Sequence, residues 1–426
     1  MIDAMLINPP FGGVIDDALE ENLGLAYIAG FLQSKNLSVE INEMTGNIPL
    51  NDRLKQLDDA LVYGISYYST ASESVTKIVD YIRSNKPNAL IYIGGPHPSA
   101  LPEATLKKMN VHGVVVGEGE EAFYKIVRNA KAMSPMYGVI HGQIIKNMDE
   151  IPFPVRTVNR ERFTRRLNNE PSISLLSSRG CPYKCLHCNS LIMGGGNPNI
   201  RFRSIDNVIE EIRLLKSLGY TKFRFNDDNF SANPNLKQLL SAIEKEQINY
   251  RVFGRIEHLT EPVCQLLKKS GCCLFSVGIE SCNPDNLKFI GKAVMLNHLS
   301  NLAMAKKHGI TIRASFMVGL PFDTDESVSC YFNKAAELDF DEYAIYGLIP
   351  YPGTSLHSNP AHYHYEILSY DYSTYMQMDK NGESCFVLRY DDGHYSFEPD
   401  DVRRWHDRAN KILGSKKTHM RYSSIA

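Results

Sequence analysis

The sequence predicts an α/β protein with two successive series of strands and helices. Short apolar runs alternate with segments of helical periodicity, first over residues 1–135 and again over residues 171–360. Runs of this kind are buried on both faces, as in parallel sheets covered by helices. Between the series lies Ile-Pro-Phe-Pro at 151–154, whose two prolines exclude regular structure. We therefore expect two domains joined by a connector over 136–170.

The first series predicts a Rossmann-like, flavodoxin-like domain over residues 1–135. Its candidate strands span 4–7, 39–41, 60–66, 90–93 and 114–116, with helical patterns at 23–32 and 72–84. Glycine and polar residues follow most of these strands. In open parallel sheets the carboxyl ends of the strands are where ligands bind, so this edge is the candidate ligand site.

The second series predicts a partial (β/α)6 barrel over residues 171–360, related to the eight-unit TIM barrel but open. Its candidate strands span 172–176, 222–225, 250–253, 274–277, 311–316 and 342–346. A small C-terminal extension, 361–426, carries one predicted helix at 399–413. Because it follows the last strand, we expect this extension to pack against the barrel and to help close the substrate pocket, with a mobile end from Ser415 onward.

Composition narrows the class of protein. The 426 residues carry a net charge of −2 and are 43% hydrophobic and 22% charged. Such a balance gives no reason to expect a nucleic-acid partner. The sequence shows no apolar run of transmembrane length and no signal peptide, so we expect a soluble cytoplasmic protein without a membrane partner.

A cysteine triplet carries the strongest chemical signal. Of nine cysteines, none precedes Cys181, and Cys181, Cys185 and Cys188 lie on one loop after the first strand of the second series. Three thiolates at this spacing can hold a 4Fe–4S cluster, which normally takes four, and so leave one iron open to another ligand. The alternative is a zinc site completed by His187 or a distant cysteine.

The triplet resembles the cluster motif of the radical S-adenosylmethionine (SAM) superfamily. Its context, Ser-Arg-Gly-Cys-Pro-Tyr at 178–183, is similar to the cobalamin-binding branch. The resemblance implies that the open iron binds SAM. His187 stands where the family more often has an aromatic residue packed near the adenine, and a planar imidazole can pack in the same way.

The resemblance extends to the ends of later strands and implies further contacts with SAM. These candidates are Asp227, Asp228, Asn229, Glu280, Ser281, Arg313, Gly319, Pro350 and Tyr351. The Asp-Asp-Asn segment would accept hydrogen bonds from the SAM amino group, Glu280 would contact the ribose, and the Pro-Tyr-Pro-Gly-Thr turn would meet the adenine. The alternatives are a polar turn at 227–229, a helix-capping role for Glu280 and a solvated Arg313.

The first series resembles the cobalamin-binding domain of the same branch. The candidate contacts are Asn8, Pro9, Pro10, Gly24, Leu25, Ser66, Gly94, Gly95, His97, Gly117, Glu118 and Gly119. The Asp-x-His-x-x-Gly motif that supplies a cobalt ligand elsewhere is missing, and His97 is the first histidine of the chain. His97 is therefore the nearest candidate for contact, or else a loop residue bonded to backbone. A flavodoxin-like domain with a degenerate pocket is the alternative.

The resemblance implies an enzyme with three cofactors: the 4Fe–4S cluster, SAM and cobalamin. It implies reductive cleavage of SAM to a 5′-deoxyadenosyl radical and methylation of an unactivated carbon of a small molecule, with flavodoxin or ferredoxin as electron donor. A cobalamin-dependent enzyme that rearranges, cyclises or oxidises its substrate fits the same motifs. A methylthiotransferase acting on RNA would carry N-terminal cluster cysteines, which are absent here, and a cobalamin or redox sensor would not cleave SAM.

Overall fold

The computed structural model describes residues 2–11, 20–46, 48–156, 166–167, 170–196, 198–375, 386–388 and 397–418. The chain forms two compact units. The first unit comprises Met1–Arg166, Asn189–Arg203 and Asp371–Tyr375, and the second comprises Leu167–Cys188, Ser204–Tyr370 and Met376–Ala426. Among the described residues, no helix has both the length and the apolar character needed to cross a membrane.

The first unit is built on a six-stranded parallel sheet. The strands are β1 (Ile2–Asn8), β2 (Val39–Glu43), β3 (Ala60–Ser66), β4 (Leu90–Gly94), β5 (Gly113–Val116) and β6 (Gly138–His141). Their order is β2-β1-β3-β4-β5-β6. The chain therefore reverses its winding direction between β1 and β3, and the crevice at such a switch point is where open α/β sheets bind ligands.

Helices cover both faces of this sheet. They are α1 (Leu23–Ser34), α2 (Leu50–Leu54), α3 (Ser72–Asn85), α4 (Pro96–Ala100), α5 (Pro102–Lys108) and α6 (Glu120–Lys131). Met5 and Ile7 of β1 join one apolar core with α3, whereas Ala4 and Leu6 join another with α1 and α6. Alternate residues of the strand thus enter opposite cores, which confirms the predicted doubly covered α/β domain.

The predicted connector 136–170 begins inside this sheet. Its residues Gly138–His141 form β6, which pairs with β5 through Val114↔Val139 and Val115↔Ile140. The strand has only four residues, sits at the sheet edge and starts at a glycine with φ of +84°. A short edge strand has no apolar run long enough to be distinguished from a loop by sequence, which explains why it was not predicted.

The second unit contains the curved parallel sheet of the partial barrel. The strands are β7 (Arg166–Leu167), β8 (Glu170–Leu175), β11 (Lys222–Phe225), β12 (Asn249–Gly254), β13 (Cys272–Glu280), β14 (Thr311–Val318), β15 (Glu342–Gly347) and β18 (Lys417–Thr418). The shorter strands elsewhere in the chain are β9 (Ser178–Gly180), β10 (Ile200–Phe202), β16 (Tyr365–Ile367) and β17 (Phe386–Leu388). The sheet order is β18-β15-β14-β13-β12-β11-β8-β7. The six central strands are those predicted from the sequence.

A layer of helices covers the outer face of this sheet. They are α7 (Ile205–Ser217), α8 (Leu236–Glu246), α9 (Glu261–Lys269), α10 (Pro284–Phe289), α11 (Asn301–Lys307), α12 (Asp325–Ala336), α13 (Ser355–Ser358) and α14 (Pro399–Leu413). Phe223 and Tyr250 point into the core between sheet and helices. Arg224 and Arg251 alternate with them and face the barrel interior, where Arg224 donates to Ser174 Oγ at 2.8 Å.

The C-terminal extension divides between the two units. Helix α14 has the predicted bounds and packs beside α12, where Trp405 Nε1 donates to Asp325 Oδ1 at 3.0 Å. Lys417–Thr418, expected to be mobile, pair with β15 at the edge of the sheet. Asp371–Tyr375 instead belong to the first unit. Closure of the substrate pocket by the extension remains a prediction, and much of it, 376–385 and 389–396, lies outside the described residues.

Candidate functional site

The cysteine loop leaves the carboxyl end of β8 in the second unit. Cys181 and Cys185 are half-buried and Cys188 is exposed. Cys188 N donates to Cys185 O at 3.1 Å, and Leu186 N donates to Ile290 O at 3.3 Å, which ties the loop to the end of α10. Burial raises the pKa of Cys181 and Cys185, and the neighbouring cysteines raise it further. The three cysteines thus lie on one loop, within electrostatic range of one another.

The zinc alternative requires a compact four-ligand site. Within the described parts of the chain, no three His, Cys, Asp or Glu side chains are gathered around a single ion position. His187 lies next to Glu280 and Lys292, and burial lowers its pKa. The three cysteines therefore do not form a preassembled single-ion site with His187.

Asp227 anchors the start of the cysteine loop. Its carboxylate is fully buried and accepts hydrogen bonds from Ser177 N at 3.0 Å, Ser177 Oγ at 2.9 Å and Ser178 Oγ at 2.5 Å. Such a group fixes the path of the chain between β8 and Cys181. Direct contact of Asp227 with SAM stays a prediction, while its structural role is visible here.

Asp228 lies near Cys181, and Asn229 follows it in the chain after β11. Burial of the Asp228 carboxyl by the surrounding protein, together with the charge of Asp227, raises its pKa to about 6. Its carboxylate lies close enough to Cys181 to raise the pKa of that thiol. Within the described residues, the buried Nδ2 of Asn229 has no hydrogen-bond partner. The carboxylate beside Cys181 and the unsatisfied amide of the next residue are groups of the kind that bind the charged amino acid group of SAM.

Glu280 ends β13 and forms a buried ion pair that the sequence did not predict. Lys292 Nζ lies 2.6 Å from Glu280 Oε1 and 3.1 Å from Gly278 O, and both side chains are only 10% exposed. Glu280 has φ of +64°, and a Cβ at Gly278 would lie 2.0 Å from Glu280 Oε1. Only glycine at 278 leaves room for this carboxylate. The buried Nδ1 of nearby His187 has no partner within the described residues.

The other SAM candidates in the second unit follow β13, β14 and β15. Ser281 is buried, and its Oγ accepts from Asn283 N at 3.0 Å. Gly319 N donates to Asp323 Oδ2 at 2.9 Å at the end of β14. Pro350 is buried and Tyr351 half-buried in the turn after β15. Each of these lies at the carboxyl edge of the sheet.

Arg313 lies away from the SAM candidates at the carboxyl edge of the sheet. Its Nε and Nη2 donate to Glu342 Oε2 at 2.9 and 2.6 Å on the inner face of the sheet. Val318, the last residue of β14, is five positions after Arg313 in the chain. At about 3.3 Å per residue this is roughly 16 Å along the strand from its carboxyl end. A contact between Arg313 and the SAM carboxylate is still a prediction.

In the first unit, Asn22 links three candidate contacts at the switch point. Asn22 Nδ2 donates to Asn8 Oδ1 at 2.9 Å and to Ser66 Oγ at 3.1 Å, at the ends of β1 and β3. Its Oδ1 accepts from Leu25 N at 3.1 Å and so caps α1. Asn22 was not singled out in the sequence, although an Asn just before a helical pattern is a capping signal. Pro9, Pro10 and Gly24 flank this network.

His97 is held inside the first unit. It is 5% exposed, its ring stacks on Tyr67 at 4.3 Å, and its Nδ1 lies 2.9 Å from Ser69 Oγ. Tyr372 meets the ring edge-on at 4.8 Å. Gly94 and Gly95 precede it; Gly95 has φ of +111°, and a Cβ there would lie 3.1 Å from Tyr67 O. The His97 ring is therefore packed against aromatic side chains in the interior of the first unit.

The last cobalamin candidates follow β5. Gly117 N donates to Ser99 Oγ at 3.0 Å, and Gly119 precedes α6. Glu118 is buried and forms an ion pair with Arg201. After β1 and β3, Phe11 and Tyr68 meet edge-on at 5.5 Å, and Tyr68 is 40% exposed. These two aromatic residues, which the sequence did not predict as contacts, offer apolar surface at the switch point.

Comparison with known proteins agrees with the description of both units. Residues 175–330 match the model of the Radical SAM superfamily, and residues 18–127 match that of the B12 binding domain. An uncharacterised methyltransferase of Pyrococcus horikoshii is 28% identical over 378 residues, covering 83% of this chain and 82% of that protein. The bacteriochlorophyllide d C-12(1)-methyltransferase of Chlorobaculum tepidum is 29% identical over 334 residues, covering 74% of this chain and 66% of that protein.

Among solved structures, the radical SAM methyltransferase TsrM from Kitasatospora setae is similar in fold. The two share 16% identity and a TM-score of 0.69, over 99% of this chain and 91% of that one. The matched domains imply the 4Fe–4S cluster, SAM and cobalamin as cofactors. The thiols, the carboxylate beside them and the unsatisfied buried amide fit the first two of these groups. The chain therefore combines a domain of the Radical SAM superfamily with a B12 binding domain, and it is similar to methyltransferases over most of its length.

Proposed function

We propose that this protein methylates an unactivated carbon of a small-molecule substrate, a natural-product precursor or a metabolite. The observation that carries the proposal is the pairing of the two matched domains with relatives that are named methyltransferases over most of this chain. When bound, the three cofactors supply the radical chemistry and the methyl group.

The residues of the second unit are proposed to bind and orient SAM. Cys181, Cys185 and Cys188 hold the cluster through three thiolates and leave one iron for SAM. Asp228, beside Cys181, accepts from the SAM amino group, and the Nδ2 of Asn229 donates to an oxygen of the same amino acid group. Glu280 keeps one carboxylate oxygen on Lys292, which leaves the other for a ribose hydroxyl.

The first unit is proposed to bind cobalamin at its switch point. The Asn8, Asn22 and Ser66 network fixes the strand ends, and Phe11 and Tyr68 provide the apolar surface. Because the Asp-x-His-x-x-Gly motif is missing and the His97 ring is packed against Tyr67 and Tyr372, we propose that no protein imidazole ligates the cobalt. We further propose that the enzyme works in the cytoplasm with flavodoxin or ferredoxin as its electron donor.

The test is transfer of an isotopically labelled methyl group from SAM. Protein reconstituted anaerobically with iron, sulfide and cobalamin is incubated with labelled SAM, a reductant and candidate metabolites, and products are identified by mass spectrometry. We expect the label in a carbon-bound methyl group of one metabolite. The matched control is Cys330→Ala, which changes an exposed cysteine on α12 and should behave as wild type, whereas Cys181→Ala should give no product. A product that is rearranged, cyclised or oxidised without the label would contradict methylation.

A further inference from the structure

Arg255 lies directly after β12, beside the cysteine loop, and its side chain is only 11% exposed. Its Nη1 donates towards Cys185 Sγ at 3.8 Å. Its guanidinium also sits over the ring of Tyr183, 4.0 Å from the centroid. Arg255 thus contacts two residues of the loop that carries the cluster ligands, and one of them is a ligand itself.

A set of contacts fixes the orientation of this guanidinium. Nε donates to Glu257 Oε1 at 2.9 Å, and Nη2 pairs with the same oxygen. The carboxylate therefore occupies the Nε and Nη2 edge and leaves Nη1 facing the sulfur. The cation–π contact with Tyr183 stabilises this arrangement further.

The backbone around Arg255 is held as firmly. Arg255 N donates to Ser231 Oγ at 3.1 Å, and Ser231 Oγ lies 2.8 Å from His258 Nδ1. His258 Nε2 lies 3.2 Å from the hydroxyl of Tyr183. These contacts connect the backbone of Arg255, through Ser231 and His258, to the hydroxyl of Tyr183 on the cysteine loop. They therefore fix the positions of Arg255 and Tyr183 relative to each other.

The positive charges of Lys292 and Arg255 both act on Cys185. Glu280, the partner of Lys292, also acts on Cys185 and opposes Lys292. Arg255 differs because an N–H bond is directed at the sulfur and its carboxylate partner lies on the opposite edge. Of these two cations, Arg255 is the one that the structure aims at the ligand.

We propose that Arg255 is a positioning residue that raises the reduction potential of the cluster through its hydrogen bond and charge at Cys185. On reduction, [4Fe–4S]2+ accepts one electron from an external one-electron donor and becomes [4Fe–4S]+, with no bond or proton change at Arg255. The added negative charge spreads onto the ligand sulfurs, where a donor and a positive charge stabilise it. The inference depends on the cluster and not on the substrate.

The experiment is a redox titration of the reconstituted cluster without SAM, followed by the electron paramagnetic resonance signal of the reduced state. In Arg255→Met the ratio of reduced to oxidised cluster at a fixed potential should fall about tenfold, which is 59 mV for a one-electron couple. Glu257→Gln removes the counter-charge of Arg255 and should shift the potential in the opposite direction. Opposite shifts are a result that a purely structural role of Arg255 would not produce.

The matched control is Arg213→Met, which removes an arginine that pairs with Glu246 on the surface of α7. It should leave the potential unchanged. An unchanged potential in Arg255→Met with full iron content would overturn the proposal. If Arg255→Met fails to hold iron, the Glu257→Gln variant provides the test instead. A reduction potential of Glu257→Gln equal to or below that of wild type would equally overturn the proposal. Neither result bears on methyl transfer, so the proposed function is tested separately.

Discussion

Replacement of Lys292 by methionine should destabilise the second unit strongly. The variant removes the ammonium that lies 2.6 Å from Glu280 Oε1 while both side chains are about nine-tenths buried. Taking one partner from a buried pair leaves an uncompensated charge and costs about 3–5 kcal/mol. A surface pair gives the contrast: Lys306 lies 3.6 Å from Asp341 with exposures of 46% and 33%, and Lys306→Met should cost less than about 1 kcal/mol.

Tryptophan fluorescence in a urea titration measures this loss directly. The chain has one tryptophan, Trp405, and it is buried in the core of the second unit. Its emission therefore reports unfolding of the unit that contains Lys292 and Glu280. The double variant Lys292→Met, Glu280→Gln removes both charges and should recover most of the stability. A single variant within about 1 kcal/mol of wild type, or a double variant no more stable than the single one, would refute the reasoning.

The pH dependence of the same measurement has a definite sign. Burial raises the pKa of Glu280, but Lys292 and His187 outweigh burial and hold it below its ordinary value of 4.5. A carboxyl with a lowered folded pKa contributes stability above its unfolded pKa and loses it as pH falls through the folded pKa. In Lys292→Met the lone carboxyl is instead protonated readily. The difference between wild type and variant should therefore be largest near neutral pH and shrink as pH falls towards 4.5 and below. A difference independent of pH would contradict this account.

Three further predictions concern the cofactors. Cys181→Ala should lose most of the iron after anaerobic reconstitution, whereas Cys330→Ala should retain about four irons per chain, and equal iron contents by colorimetric assay would contradict the ligand assignment. Asp228→Asn should weaken SAM binding in calorimetry by about tenfold or more, since hydrogen bonds to charged groups contribute about 1.5–3 kcal/mol. Because the pKa of Asp228 is about 6, wild-type affinity for SAM should rise as pH increases from 5 to 7, and a flat profile would count against the contact. The Co(II) state of bound cobalamin should give the same electron paramagnetic resonance spectrum in wild type and in His97→Ala, and nitrogen hyperfine splitting lost in the variant would identify His97 as a ligand.

Much of the fold follows from local sequence signals. The bounds of β3 and β11 and of helix α14 match the predictions because each is a continuous pattern bounded by residues that end it. Helix α14 starts at Pro399, a favoured first helical residue. The edge strands β6 and β18 were missed, since two to four residues paired on one side carry little hydrophobic pattern.

The candidate site also contains residues that the sequence predicts and residues that it does not. The cysteines and the Asp-Asp segment stand out because they are contiguous and follow predicted strands. Arg255 could not be identified because its partner Cys185 is 70 residues away, and the link from Asn22 to Ser66 spans 44 residues. Such pairs exist only once the sheet order and register are set. The ion pair of Arg313 could not be predicted for the same reason, because Arg313 and Glu342 become neighbours only when β14 and β15 pair in register.

Formation of 5′-deoxyadenosine from SAM tests the central claim most directly. Wild-type protein loaded with cluster and cobalamin, reduced chemically and given SAM, should release 5′-deoxyadenosine and methionine, and Cys185→Ala should release neither. Cleavage that continues in Cys185→Ala, or intact SAM in wild-type protein with full iron and cobalamin content, would contradict the assignment of this chain as a cobalamin-binding radical SAM enzyme.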